Sequence, residues 1–406
     1  MLRCGLLGRT LGHSYSSQIH RALGDYEYRL YEKEPEELES FLRSGCFDGL
    51  NVTIPYKKAV MPLLDEISPE ALQIGSVNTI VQRGGRLMGF NTDAFGFSWM
   101  LQASSVSVAG KKALVFGSGG ASVTAQHVLQ SLGAREVLVI SRTGENNYEN
   151  LPHHFDASIL VNTTPLGMYP KTGESACELS RFSKLDGVFD VVYNPARTAL
   201  LLQAESLHIP HAGGLSMLVA QAKRASELFT GREISDAEIS RIEKALRTQM
   251  QNIILIGMPG CGKSTVGRAV AKRLGRTFYD ADAEIEARAG CSIPELFRAQ
   301  GEAAFRALES EVLRALGKQS GAVIATGGGC VTREENYAPL HQNGVIVCLT
   351  RPLSLLPTNG RPVSQANSLE ALYKTRAPLY ARFADLTLAN TQTPDACAEA
   401  ILEAVL

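Results

Sequence analysis

The strongest constraint on the fold is a glycine-rich motif, Gly257-x-x-x-x-Gly262-Lys263-Ser264, which directly follows an apolar run from Asn252 to Ile256. Backbone N–H groups in such a loop form an anion nest, its lysine reaches the β- and γ-phosphates of a nucleotide, and its serine ligates Mg²⁺. A loop of this kind joins a buried strand to the first turn of a helix. The motif therefore predicts a P-loop nucleotide site in an α/β domain.

A second glycine-rich motif, Gly117-x-Gly119, follows another apolar run from Lys112 to Phe116. It matches the dinucleotide fingerprint, in which glycines let the backbone approach a pyrophosphate at a helix N-terminus. Ser122 departs from that fingerprint at the third small position, and an ordinary turn is the alternative. Strands that alternate with helices imply parallel sheets in doubly wound α/β layers. Two loops of different type predict two nucleotide-binding domains.

The next strand-like run, from Glu136 to Ile140, ends in Ser141-Arg142-Thr143. An acidic residue at this place would bind the ribose 2′-hydroxyl of NAD, whereas an arginine suits the 2′-phosphate of NADP. A solvated surface arginine is the alternative for any single position. Together with the glycine motif, Arg142 favours NADP.

The composition is that of an ordinary globular protein, with 45% hydrophobic residues, 20% charged residues and a formal net charge of −1. This balance gives no indication of a nucleic-acid partner. No apolar run reaches the length of a membrane span, and the first residues lack the apolar core of a signal peptide. The eight cysteines are scattered without a C-x-x-C pair, which indicates free thiols in a reducing compartment. We therefore expect a cytoplasmic protein that binds small molecules, and neither nucleic acid nor membrane.

A capping box begins a helix between the two nucleotide motifs, with Ser235 as its N-cap and Glu238 three residues later. Apolar residues at helical spacing extend this helix to about Arg247, and a strand begins near Ile253. The pattern predicts a short linker at residues 248–251.

Seven motifs in residues 1–247 occur in the order found in shikimate dehydrogenases, and this part of the chain resembles that family. They are 5–8 with 13–16 (GLLG and HSYS), 51–57 (NVTIPYK), 75–79 (GSVNT), 91–96 (NTDAFG), 162–168 (NTTPLGM), 190–193 (DVVY) and 214–221 (GLSMLVAQ). The resemblance implies a substrate domain at residues 1–100, completed by helices within 214–247. It also implies a Rossmann-like NADP-binding domain at residues 101–213.

The same resemblance implies NADPH-dependent reduction of 3-dehydroshikimate to shikimate. Such a reaction needs a hydride from the nicotinamide and a proton for the developing alkoxide. Lys57 is the implied proton donor, and Asp93 is implied to pair with it and to bind a substrate hydroxyl. Ser14 and Ser16 are suited to the substrate carboxylate. The residues implied to line the ring hydroxyls are Thr53, Asn78, Tyr193 and Gln221.

Residues implied to contact NADP are Gly117, Ser118, Gly119, Gly120, Ala121, Ser141, Arg142, Thr143, Val191 and Gly214. Two features depart from the family. Residues 144–147 lack the second basic residue that often follows the position of Arg142. The stretch between Arg142 and Asn162 is also shorter than usual, so we expect a helix or strand of the cofactor domain to be trimmed.

Residues 252–406 resemble shikimate kinase, a P-loop kinase of nucleoside-monophosphate-kinase type. Motifs that carry this resemblance beyond the P-loop are 278–282 (FYDAD), 305–309 (FRALE), 326–329 (TGGG), 360–362 (GRP) and 376–380 (RAPLY). The resemblance implies ATP-dependent phosphorylation of shikimate to shikimate 3-phosphate. The residues implied to contact ATP are Gly260, Cys261, Gly262, Lys263, Ser264, Thr265 and Arg361.

Further roles in this part follow from the resemblance. Asp282 is implied to bind the acceptor hydroxyls and to help deprotonate the 3-hydroxyl, while Asp280 lies near the Mg²⁺ that Ser264 ligates, through water. Arg361 is implied to stabilise the transferred charge from a lid, although the stretch before it is short and lacks an arginine usual there. The residues implied to bind shikimate are Asp282, Arg306, Gly327, Gly328, Gly329 and Arg376.

The main hypothesis is a bifunctional enzyme that catalyses two consecutive steps of chorismate biosynthesis. One alternative is a dehydrogenase half that uses quinate with NAD, against which Arg142 and the paired serines Ser14 and Ser16 argue. The other is a ligand-sensing regulator built from degenerate pathway domains. The presence of Lys57 and Lys263 argues against that reading.

Overall fold

The structure is a computed structural model that describes residues 1–12, 14–356 and 369–406. The chain divides into two compact units, Met1–Ala245 and Leu246–Leu406. Arg361, to which the sequence assigned a role in phosphoryl transfer, lies outside the described residues.

The first unit begins with a six-stranded sheet in the order β2-β1-β3-β5-β6-β4. Its strands are β1 (Arg3–Gly8), β2 (Glu27–Glu32), β3 (Gly49–Val52), β4 (Glu66–Ile67), β5 (Thr79–Arg83) and β6 (Arg86–Phe90). The helices of this region are α1 (Ser16–Leu23), α2 (Leu38–Arg43) and α3 (Pro69–Ile74). Leu7, Leu50 and Ile80 are fully buried in its core.

The expectation of purely parallel sheets is wrong for this first sheet. β5 runs antiparallel to both β3 and β6, although β1 pairs in parallel with β2 and β3. The turn between β5 and β6 consists of Gly84 and Gly85, both with positive φ, at 57° and 78°. A two-residue turn of this kind joins only antiparallel neighbours.

The second sheet of the first unit is parallel, in the order β11-β10-β9-β7-β8. Its strands are β7 (Lys112–Phe116), β8 (Glu136–Ile140), β9 (Ile159–Asn162), β10 (Gly187–Asp190) and β11 (His211–Gly213). The helices are α4 (Asp93–Ala103), α5 (Gly120–Ser131), α6 (Ala199–Ser206) and α7 (Leu215–Thr230). This is the strand order of a dinucleotide-binding fold that lacks its third strand. Among helices, only the 3₁₀ turn Leu151–His154 connects β8 to β9, as the short stretch after Arg142 predicted.

Helix α8 (Ala237–Met250) includes the division between the two units. It begins close to the predicted N-cap, because the Ser235 hydroxyl accepts a hydrogen bond from the Ala237 N–H at 3.3 Å. The predicted capping box does not form, since Glu238 is the second helical residue and its carboxylate pairs with Arg241. The predicted end near Arg247 is wrong. Three of the four residues assigned to the linker 248–251 are helical, since no proline or glycine stops the helix there. The predicted boundary at residue 100 likewise falls inside α4.

The second unit contains one parallel sheet, in the order β13-β14-β12-β15-β16. Its strands are β12 (Asn252–Ile256), β13 (Phe278–Asp280), β14 (Val323–Ala325), β15 (Gly344–Thr350) and β16 (Leu386–Ala389). Its helices are α9 (Lys263–Leu274), α10 (Ala281–Ala289), α11 (Ile293–Leu316), α12 (Tyr337–His341), α13 (Leu369–Phe383) and α14 (Pro394–Val405). The P-loop connects the fully buried central strand β12 to α9, as predicted.

No helix in the described ranges has both the length and the apolar composition that a bilayer crossing requires. All eight cysteines are free thiols, and five of them are buried.

Candidate active sites

A cavity of about 220 Å³ lies in the first unit. Its walls come from the first sheet and from segments that follow strands of the second sheet. They include all eight residues that the sequence assigned to the dehydrogenase substrate, namely Ser14, Ser16, Thr53, Lys57, Asn78, Asp93, Tyr193 and Gln221. Three residues assigned to the cofactor, Ala121, Val191 and Gly214, line the same cavity.

Lys57 and Asp93 form an ion pair in this cavity, with 2.5 Å between Nζ and Oδ2. The side chains are 19% and 9% exposed, so the pair is largely screened from water. Asp93 is the first residue of α4, where the helix dipole favours a negative charge. The geometry holds a lysine amine at a defined point on the cavity wall.

The amides that line the cavity belong to one buried hydrogen-bond network. The Asn78 side-chain oxygen accepts from the Thr92 backbone N–H at 2.6 Å, and its side-chain NH₂ donates to the Thr92 hydroxyl at 3.1 Å. Thr92 also approaches the Gln221 side-chain oxygen at 3.4 Å. Both the oxygen and the NH₂ group of the Asn78 side chain therefore have hydrogen-bond partners, which fixes the orientation of the amide.

The glycine motif lies at the carboxyl edge of the parallel sheet. Phe116 pairs with Ile140 on one side and with Asn162 on the other, so the three loops that follow leave the same edge. Gly117 has a φ of 106°, and a Cβ there would lie 2.9 Å from the Thr163 hydroxyl. Only glycine fits this approach. The edge between β7 and β9 is also where the strand order reverses, the place at which open α/β sheets bind ligands.

The other residues that the sequence assigned to the cofactor fall into two groups, one at the 220 Å³ cavity and one after β8. Gly214 lies so close to Val191 that a Cβ would come 2.1 Å from the Val191 carbonyl oxygen. Ser141, Arg142 and Thr143 follow β8 and do not line the 220 Å³ cavity. Arg142 is exposed, and the short segment after it folds back so that the Ser141 N–H donates to the Asn146 carbonyl at 3.1 Å.

A second cavity, of about 600 Å³, lies in the second unit beside the P-loop. Gly260, Gly262, Lys263, Ser264 and Thr265 line it, whereas Cys261 is fully buried and is absent from the lining. The Lys263 ammonium donates to the carbonyls of Gly257 at 3.0 Å and Met258 at 3.1 Å. The loop therefore has its lysine folded onto its own backbone.

Two carboxylates, from Asp282 and the buried Glu309, converge at Gly327 in this cavity. A Cβ on Gly327 would lie 2.8 Å from Oε1 of Glu309 and 2.9 Å from Oδ1 of Asp282. Burial raises the pKa of both carboxyl groups, and Asp280 raises that of Asp282 further. Oε2 of Glu309 accepts from Arg306 at 2.6 Å, while Oε1 has no hydrogen-bond partner among the described residues. The cavity thus presents carboxylate oxygens beside an oriented guanidinium.

A second part of the cavity lining is organised around the backbone of Gly328. Its carbonyl accepts from the Arg376 guanidinium at 3.0 Å and from the Tyr380 hydroxyl at 2.5 Å. A Cβ on Gly328 would lie 2.7 Å from Pro259 of the P-loop. Asp280 does not line the cavity, and its carboxylate instead accepts from the Asp282 N–H at 3.2 Å as the N-cap of α10.

Comparison with known proteins identifies the family of each part of the chain. A model of the shikimate dehydrogenase substrate binding domain matches residues 6–80, and a model of shikimate kinase matches residues 259–406. The shikimate dehydrogenase (NADP(+)) of Clostridium beijerinckii is 36% identical over 245 residues, a match that covers 55% of this chain and 90% of that protein. The chain belongs to the shikimate dehydrogenase family. Its C-terminal part is a shikimate kinase domain, so the predicted fold class and the predicted bifunctional shikimate-pathway enzyme are confirmed.

Solved structures of shikimate and quinate dehydrogenases are also similar to the dehydrogenase unit. A shikimate 5-dehydrogenase from Thermus thermophilus, in complex with NADP(H) and shikimate, has 32% identity and a TM-score of 0.56, covering 60% of this chain and 99% of that one. A quinate dehydrogenase from Corynebacterium glutamicum, in complex with NAD, has 30% identity and a TM-score of 0.54, covering 59% and 96%.

In the shikimate dehydrogenase unit, a second layer of buried residues supports the cavity wall. Asn51 lines the cavity, and its side-chain oxygen accepts from the Tyr28 hydroxyl at 2.8 Å. The Tyr28 ring stacks on His20, with centroids 4.1 Å apart, and His20 Nδ1 pairs with the Tyr26 hydroxyl at 2.6 Å. Burial lowers the pKa of His20 to about 3, which keeps the ring neutral. Asn51 belongs to the recognised 51–57 motif, but no local signal pointed to Tyr28 or His20.

A buried carboxylate also organises the loop that carries Val191 and Tyr193. Asp190 accepts from the Thr198 hydroxyl at 2.6 Å, the Asn162 side chain at 2.9 Å and the Val192 N–H at 3.0 Å. Burial raises its pKa to about 7, against the lowering effect of these donors. Asp190 therefore connects the carboxyl ends of β9 and β10 to the loop beside the cavity.

The shikimate kinase cavity also contains residues to which the sequence assigned no role. They are Pro259, Glu286, Ile293, Pro294, Phe297, Phe305, Glu309, Thr326 and Arg351. Glu309 was part of the recognised 305–309 motif, whereas Arg351 belongs to no motif that the sequence analysis singled out.

Proposed function

We propose that the first unit reduces 3-dehydroshikimate to shikimate with NADPH, and that the second unit transfers the γ-phosphoryl group of ATP to the 3-hydroxyl of shikimate. The observation that carries the first activity is the Lys57–Asp93 ion pair in the 220 Å³ cavity. The product of the first reaction is the acceptor in the second.

Lys57 is the proton donor in this proposal. The ammonium delivers its proton to the carbonyl oxygen as that oxygen becomes an alkoxide, and NADPH supplies the hydride when bound. Asp93 holds the amine in position and accepts a hydrogen bond from a neighbouring substrate hydroxyl. Asn78 and Gln221 bind ring hydroxyls. Their hydrogen bonds with Thr92 hold the two side-chain amides in fixed orientations.

Ser14, Ser16 and Tyr193 complete the substrate site. The two serine hydroxyls donate to the substrate carboxylate at the start of α1, and Tyr193 contributes a further part of the cavity wall. The cofactor pyrophosphate binds at Gly117–Gly120, where the positive φ of Gly117 and the N-terminus of α5 suit an anion. Arg142 is exposed and available for the 2′-phosphate of NADP.

In the kinase unit, Lys263 and the P-loop N–H groups bind the phosphates of ATP. Ser264 ligates Mg²⁺, and this residue fits that role because it follows the P-loop lysine and lines the cavity. Asp282 accepts a hydrogen bond from the acceptor hydroxyl and withdraws its proton. Arg306 and Arg376 bind the shikimate carboxylate, a task suited to guanidinium groups.

The quinate alternative keeps one supporting observation, the similarity to a quinate dehydrogenase in complex with NAD. Arg142 after β8 favours NADP instead. Comparison of kcat/KM for shikimate and quinate, each with NADP and NAD, distinguishes the two. A preference for quinate with NAD would replace the first half of this proposal. A regulator without catalysis would turn over none of the four combinations.

A coupled assay tests the whole proposal. Wild-type protein incubated with 3-dehydroshikimate, NADPH and ATP–Mg²⁺ is expected to form shikimate 3-phosphate. Lys57→Ala is expected to stop NADPH oxidation and to retain phosphorylation of added shikimate, while Lys263→Ala does the reverse. Absence of shikimate 3-phosphate from the wild type overturns the proposal.

A further inference from the structure

Among the residues that the structure describes, four basic side chains line the shikimate kinase cavity, namely Lys263, Arg306, Arg351 and Arg376. Three of them have acceptors in the protein. Lys263 donates to P-loop carbonyls, Arg306 pairs with Glu309 and Glu302, and Arg376 donates to the Gly328 carbonyl.

Arg351 differs from these three. Within the described ranges, its guanidinium makes no ion pair and no side-chain hydrogen bond, and the residue is exposed to solvent at the cavity. An unpaired guanidinium in a cavity that already contains an anion nest adds attraction for an anionic ligand.

The sheet order places Arg351 on one particular side of the P-loop. The acceptor-binding residues Asp282 and Gly327 follow β13 and β14, which lie on one side of β12. Arg351 directly follows β15, the neighbour of β12 on the other side. The P-loop contacts that strand closely, since a Cβ on Gly257 would lie 2.3 Å from the Leu349 carbonyl oxygen. Arg351 therefore follows a strand on the opposite side of β12 from the strands that precede Asp282 and Gly327.

We infer that Arg351 binds the phosphate groups of the nucleotide and does not bind shikimate. The identity of the nucleotide as ATP rests on the proposed kinase activity. The location of its phosphate groups rests on the P-loop. A guanidinium at this place neutralises part of the triphosphate charge and donates to phosphate oxygens. It supplies a cation that the P-loop, with Lys263 alone, does not provide.

The test compares Arg351→Gln, Arg351→Lys and the wild type, with Arg314→Gln as a matched control. Arg314 is an exposed arginine of α11 that does not line the cavity. Arg351→Gln is expected to raise the KM for ATP and the Kd for a non-hydrolysable ATP analogue by about tenfold. Arg351→Lys should recover most of that loss, because it keeps the charge. The KM for shikimate and the dehydrogenase activity of the same preparations should not change.

The salt dependence of analogue binding provides a second readout. Affinity should fall less steeply with salt in Arg351→Gln than in the wild type, since one cation is missing. Unchanged analogue affinity in Arg351→Gln, a rise in the KM for shikimate in place of that for ATP, or equal losses in the Gln and Lys variants would each overturn the inference. Because analogue binding requires no turnover, a wild type that binds the analogue but does not phosphorylate shikimate refutes the proposed function separately.

Discussion

Gly120, the first residue of α5, lies against Lys57. A Cβ on Gly120 would be 3.4 Å from the lysine Cδ and 3.4 Å from the Ser76 hydroxyl. Lys57 follows strand β3 of the mixed sheet, whereas Gly120 begins α5, the helix that follows β7 of the parallel sheet. The lysine side chain and the N-terminus of α5 thus meet although they follow strands of different sheets.

Removal of the charge partner of Lys57 should affect chemistry more than binding. We expect Asp93→Asn to lower the kcat for 3-dehydroshikimate reduction by about 10² to 10⁴, because the amine loses the carboxylate 2.5 Å away that fixes its position. NADPH consumption measures this effect. Phosphorylation of shikimate by the same preparation serves as the control, and a kcat within twofold of wild type would refute the role.

The Tyr28 hydroxyl should matter for substrate affinity. Tyr28→Phe removes the donor to Asn51, so we expect a several-fold rise in the KM for 3-dehydroshikimate, a smaller change in kcat and a loss of about 1 kcal/mol of stability. Tyr26→Phe is the matched control, because its hydroxyl pairs with His20 and does not reach Asn51. Steady-state kinetics of both variants measure the KM for 3-dehydroshikimate. Equal KM values in the two variants would show that the network does not orient Asn51.

Asp190 should make the stability of the dehydrogenase unit depend on pH. Its pKa is about 7 in the folded protein and 3.8 as a reference. A raised carboxyl pKa contributes stability that is fully present below about pH 4 and is lost as the pH rises through about 7, by up to about 4 kcal/mol. Asp190→Asn does not titrate, so its stability relative to wild type should increase over that pH range. Thermal inactivation of dehydrogenase activity at several pH values measures the difference, and parallel pH profiles for both proteins would contradict it.

Gly327→Ala should damage the kinase site selectively. The added methyl group would lie within 2.9 Å of both Asp282 and Glu309, so these carboxylates must move away from the acceptor. Since small misplacements of catalytic groups are costly, we expect kcat/KM for shikimate phosphorylation to fall by about 10². Gly327 does not have positive φ, so the substitution adds contact without backbone strain. Dehydrogenase activity should remain unchanged, and intact kinase activity would mean that the carboxylates tolerate displacement.

Local motifs made much of this protein predictable. The P-loop could be recognised because its glycines, lysine and serine lie in one short segment directly after β12. The dehydrogenase residues were found by resemblance, and all eight line one cavity. The all-parallel expectation failed at β5 because the turn of Gly84 and Gly85 was not recognised as a hairpin. The end of α8 was misplaced because the sequence contains no residue that stops the helix at Arg247.

The sequence by itself determined the two nucleotide loops, the family of each half and the identity of the lysine and acidic residues, because these signals lie in short contiguous segments. Only the tertiary structure decided which other side chains contact and orient these functional residues. Tyr28 meets Asn51 across 23 residues of sequence, and Glu309 and Asp282 converge on a glycine in a third segment. Arg351 lies beside the P-loop because β15 pairs with β12. Such contacts depend on strand order and burial, which no local pattern encodes.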